Sequence, residues 1–197
     1  MKKLGKKWKI IITVVVIFIG SFYGYYKANN RNAFEEVYNS YFNILPLSAI
    51  DNMPQVKPIP KKLREQDIVL LEYKEKKSDG NIKLFLIKPE DRKKIIISYS
   101  ILMEKGDYME ISYSYDMTTH KLINDVDFYG ANIPTVEDKA KQTRELLEKY
   151  NISKEYLQKK SDELLDTVLT DWKRYSNSSY SKDNMGRLTI EKDEFLR

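Results

Sequence analysis

Few side chains in this chain could do chemistry, and their spacing limits what that chemistry would be. The single histidine, His120, falls in a turn between two alternating apolar runs. No nucleophile elbow, phosphate loop or metalloprotease signature stands beside it, so it reads as a solvated turn residue rather than a general base. The absence of cysteine excludes thiol catalysis, disulfides, iron–sulfur clusters and zinc–thiolate sites together. Hydrolysis by carboxylates alone stays open, because Asp and Glu are plentiful and their pairing is invisible in a sequence. The nearest approach to a metal motif is Asp125-Val126-Asp127-Phe128-Tyr129-Gly130, which imitates the first half of a calcium loop. Its fifth position is Tyr129, and its twelfth is Val136 where a bidentate glutamate belongs. The segment therefore reads as a strand ending with its acids in water. No catalytic residue, metal or cofactor is expected.

A polarised charge pattern is the stronger signal. Between Glu104 and Asp138 there are eight acidic residues against Lys105 and Lys121, whereas Lys57 to Lys94 holds twelve basic and seven acidic residues. Strict alternation in YMEISYSYDM puts Met109, Ile111, Tyr113, Tyr115 and Met117 on one strand face and Glu110, Ser112, Ser114 and Asp116 on the other. The next strand adds Asp125 and Asp127 or their neighbours to the polar face, depending on register. Such a negative platform suits a basic protein surface; its bland alternative is a solvated strand face. Fifteen tyrosines are the other anomaly. Tyr38, Tyr41, Tyr113 and Tyr115 sit at core spacings, whereas Tyr99, Tyr129 and Tyr180 are less committed, and exposed tyrosines are common contact anchors at interfaces. The candidate partner-binding set is Glu110, Ser112, Ser114, Asp116, Asp125, Asp127 and Tyr129.

The elements that must position these residues follow from periodicity. Five apolar or alternating runs, IVLLEYKEK, NIKLFLIK, KKIIISYSILM, YMEISYSYDM and HKLINDVDFY, are separated by turn chemistry short enough for neighbouring antiparallel strands. Asn32 caps a helix through Phe34, Val37, Tyr38, Tyr41, Phe42 and Leu45 that Pro46 stops. Four prolines from Pro46 to Pro60 mark an extended connection. After Pro134 a 3.6-residue period runs to Tyr150, then resumes from a Ser153 cap to Tyr175. RLTIEKDEF offers an edge strand. The fold class is α+β: an antiparallel meander of about five strands plus a possible edge strand, covered by helices on the face of Ile111, Tyr113 and Tyr115.

The first 27 residues place this body. Five lysines (Lys2, Lys3, Lys6, Lys7, Lys9) precede an uncharged run, residues 10–26, that is roughly 26 Å long as a helix. Lysine retention on the cytoplasmic side predicts an anchor over residues 1–27 in the lipid bilayer and one extracytoplasmic domain over 28–197. The rival is a cleaved signal peptide, but tyrosines crowd the place of the small-residue cleavage site. A lipid-modified cysteine is excluded. The formal charge of +5 resides in residues 1–26; beyond them 29 basic groups match 29 acids, which leaves no sign excess for nucleic acid.

Taken together, the basic anchor, the helix RNAFEEVYNSYF outside it, the strand SYSYDMTTHKL and the late segment DWKRYSNSSYSKDNMG resemble the TipC family of immunity proteins of Gram-positive bacteria. The resemblance spans most of the chain and implies a single-pass cell-membrane protein facing outward. Such a protein blocks a toxin exported through type VII secretion; family toxins of the TelC type attack lipid II. It supplies no toxin contacts, so the candidate residues rest on the polarity argument. The alternatives are an anchored sensor or envelope-assembly subunit without toxin binding, and an envelope hydrolase built on a carboxylate pocket.

Overall fold

Alternation in the sequence becomes pleat in the structure, a computed structural model that describes residues 5–29, 32–42, 67–72, 79–87, 92–104, 106–133, 137–176 and 180–197. Strands β1 (Ile68–Glu72), β2 (Gly80–Ile87), β3 (Lys94–Leu102), β4 (Tyr108–Asp116) and β5 (Lys121–Tyr129) form the antiparallel meander in sequence order. RLTIEKDEF contributes β6 (Ile190–Lys192), which pairs with β5 in parallel. Strands β4 and β5 keep strict inside–outside alternation. Gly80 is required where β2 meets β3, since a Cβ there would lie 2.2 Å from the Ser100 carbonyl oxygen.

The helices cover one face, the one that carries Ile111, Tyr113 and Tyr115. Helix α2 (Ala33–Phe42) starts where the Asn32 side chain accepts the Glu35 N–H at 3.0 Å. Helix α3 (Lys139–Lys149) is capped by Asp138, and α4 (Lys154–Ser176) by Ser153, whose hydroxyl accepts the Tyr156 N–H at 3.2 Å. Asn151 turns left-handed between them (φ 51°), and Ile152 donates back to the Leu147 carbonyl at 2.9 Å, closing a Schellman-type end with asparagine in the usual glycine place. Leu157, Leu164, Leu165, Val168, Leu169 and Trp172 of α4 are buried against the sheet. Phe34 lies edge-on to Trp172 (5.3 Å) and tilted on Tyr115 (5.9 Å), which locks α2 onto the same layer.

At the amino end, α1 (Lys6–Asn29) is continuous. Among the described residues no helix is long and apolar enough to cross a membrane, so the span expected over residues 10–26 is not met there. Its Trp8, Ile17, Phe18 and Phe22 are nonetheless 61–73 % exposed. The Pro46 to Pro60 connection, the Pro89-Glu90-Asp91 turn and the Tyr41 and Leu45 side chains lie outside the described residues.

Candidate functional site

Register decides what shares the outer face, the one opposite the core. Glu110 stands directly opposite Asp127, Ser112 opposite Asp125, and Tyr108 opposite Tyr129. Asp125 and Asp127, rather than their neighbours, therefore join Glu110, Ser112, Ser114, Asp116 and Tyr129 on one surface. All seven candidate residues are brought to one face, but that face is not uniformly acidic. Ser114 sits between Ile96 and Ile123, in a row continued by Phe85 and Leu70. This row divides the polar residues into two groups at opposite ends of the strands.

Near α2 the charge is consumed internally. Asp116 accepts the Thr118 and Thr119 N–H groups at 2.8 and 2.9 Å and lies 3.6 Å from Lys94. The backbone bond from Thr119, aided by Lys94, holds its carboxyl below the usual range. Asp116 is thus a turn cap, not a free contact. Towards the other end, Asp127 takes Lys139 at 3.1 Å. Among the described residues Glu110 takes only the Ser100 hydroxyl at 3.0 Å, and Ser100 in turn accepts the Tyr129 hydroxyl at 2.7 Å. The Tyr129 ring, 37 % exposed, stacks on Tyr108 at 5.3 Å.

Asp125 and Asp193 form a carboxyl pair beside a cavity of about 210 Å³ that Asp127, Lys139 and Phe195 also line. Crowding by surrounding protein, then the hydrogen bond to Asp193 and its charge, push the Asp125 carboxyl up to about 6. A raised acid stabilises the fold fully below its unfolded value, near 4, and loses that contribution as pH rises through about 6. Because Asp125 is exposed on its sheet side, the effect after solvent screening is about 1 kcal/mol or less. Asp125→Asn is expected to flatten this component: thermal melts of the variant and the parent should diverge between pH 4 and 7, the parent losing the more stability.

Other expectations change on inspection. His120 is the exposed turn residue expected, its side chain 68 % open to solvent, and it also makes contacts. Held at φ 57°, it places Nδ1 at 2.8 Å from Glu35 Oε1 and 3.1 Å from the Tyr115 hydroxyl. Tyr115 also donates to Glu35 at 2.6 Å and accepts from Asn32 at 2.8 Å. This network ties the start of α2 to the β4–β5 turn; contacts made across eighty or more residues leave no sequence signal. Tyr99 is buried, with its hydroxyl bonded to Asp79, which Lys160 pairs at 2.7 Å. Burial pushes the Asp79 carboxyl up, but the bonds from Lys160 and Tyr99 outweigh it and hold it below the usual value. Asp125 and Asp127 lie in a regular strand, and among the described residues no acidic or histidine cluster is arranged to hold a metal ion. A larger cavity, about 610 Å³, opens at the Tyr108 end between Ile101–Glu104 and Tyr150–Ser153.

Comparison with known proteins adds a family. The family described as TipC immunity protein-like matches residues 6–193. Among solved structures, the chain is similar to TipC2 from Streptococcus intermedius B196 at 20 % identity and a TM-score of 0.70, covering 82 % of this chain and 96 % of that one. At that identity the likeness shows a shared fold. No curated protein matches the chain.

Proposed function

The chain belongs to the TipC immunity protein-like family, whose members are not enzymes, and on that premise we propose that it neutralises a secreted antibacterial toxin by occluding it. The toxin acts on lipid II and leaves its producer through type VII secretion. The chain meets it outside the membrane, so the neutralised toxin never reaches its target. Residues 10–26 anchor the protein in the bilayer with the amino terminus cytoplasmic, and residues 28–197 form the outward body. Five lysines ahead of an uncharged run, and the bare apolar surface of α1, support that orientation.

The observation that carries the binding reading is the register: it gathers Glu110, Ser112, Asp125, Asp127 and Tyr129 on the face opposite the core, with α3 beside Asp125 and Asp127 at the β5 edge. Glu110, Asp127 and Tyr129 supply its charge and aromatic contact, with Asp116 and Ser114 at its margin. An inhibitor of this kind needs complementarity, not a reacting group. A sensor or assembly subunit would use the same architecture but confer no resistance. The test is protection: the full-length chain first captures its toxin from the producer's secreted proteins, and sensitive cells displaying the chain are then challenged with that toxin. Survival above an empty-vector control is expected. Equal killing in both would overturn the assignment.

A further inference from the structure

Charge on the outer face is distributed unevenly along the strands. At the α2 end, Asp116 lies opposite Lys121 and beside Lys94, and Lys121 lies 2.7 Å from Glu191, so that end is neutralised from within. Six residues along β4, Glu110 faces Asp127 across the ladder. Like charges directly opposite one another weaken a sheet, so a bound cation there would relieve a cost the fold carries. The Lys139 partner of Asp127 is itself well exposed. Glu110 has no cationic partner among the described residues. Beside this pair, on the same face, lies Ser98 opposite Ser112; it is fully buried, and its hydroxyl finds no partner among the described residues. Its neighbours across the two ladders are Lys83 and Ser112, so the row beside the acidic pair is polar.

The geometry points to a receptor for an arginine side chain of the partner protein, formed by Glu110, Asp127 and the Tyr108–Tyr129 pair. The inference rests on reading the outer face as the toxin-binding surface. Two carboxylates on adjacent strands match the forked donors of a guanidinium, and an exposed tyrosine ring offers its planar face for stacking. A lysine ammonium is a compact, strongly hydrated point charge and uses neither feature as well. The Tyr129–Ser100–Glu110 hydrogen-bond chain holds the receiving carboxylate in place before the partner arrives. Glu110 lies roughly 20 Å from Asp116 at the α2 end, six residues along β4.

Isotope-labelled full-length chain in detergent micelles, titrated with acetyl-Gly-Arg-Gly-amide and with its lysine counterpart, tests the assignment. The arginine peptide should shift the amides of Tyr108, Glu110, Asp127 and Tyr129 at concentrations at least about threefold lower than the lysine peptide. Glu110→Gln, a neutral substitution of the same shape, should erase that difference while the spectrum stays folded. Equal responses to the two peptides, shifts centred on Asp116, no response, or a preference that survives Glu110→Gln would each overturn the arginine receptor. Failure here with intact protection in the challenge assay removes only the arginine assignment; failure of protection removes the occlusion reading itself.

Discussion

Glu110→Lys combined with Asp127→Lys is expected to lower toxin affinity by at least about 100-fold, which corresponds to roughly 2.7 kcal/mol, and to abolish protection. Two like charges then meet the partner's basic surface where two opposite ones stood. The fold should survive, because both positions are only partly buried and lie on the sheet face opposite the core. The lost Lys139 pair is exposed and contributes about 1 kcal/mol at most. Asp116→Lys is a poor substitute for this test, since it removes the acceptor of two backbone N–H groups and the Lys94 contact. Any loss of protection it caused would mix unfolding of the turn with loss of contact. Circular dichroism melts of the double variant separate the two effects.

Phe34→Ala carries the largest expected stability change, about 3–5 kcal/mol. Phe34 is fully buried between Tyr115 of β4 and Trp172 of α4, so its removal opens a cavity where three elements meet. It also undocks the start of α2, which the Asn32–Tyr115–Glu35–His120 bonds hold in register. Denaturant unfolding should show a lower midpoint with an unchanged slope if the loss is confined to packing. A cost below about 1 kcal/mol would mean that α2 is not part of the cooperative core.

Much of the architecture was legible because its signals are local. Alternation in YMEISYSYDM specified a strand with one wet face, and Asn32 and Ser153 marked helix starts through their own side chains. The site was legible only as a set of residues sharing a face. Which acids remain free depends on tertiary partners: Lys94 and Lys139 come from other elements, and Asp193 reaches the Val126 N–H from 67 residues away. Register is likewise set by packing of the buried face, and it alone decides that Asp127, not Val126 or Phe128, stands opposite Glu110. His120 is the exposed turn residue expected, but its bond to Glu35 left no signal for the same reason, since Glu35 lies 85 residues distant. Tyr99 shares the core face of β3 with Ile95, Ile97 and Ile101 and pairs with Ile82 and Ile111; Ser98 and Ser100, buried on the other face, blur the alternation that would have shown it.

The most direct measurement is calorimetric titration of the captured toxin into the full-length chain and into the Glu110→Lys, Asp127→Lys double variant. One toxin should saturate one parent chain, with heat that vanishes or affinity that falls about 100-fold in the folded variant. Undiminished affinity in the variant would contradict the account, because the toxin would then be held by some surface other than the outer face of the sheet.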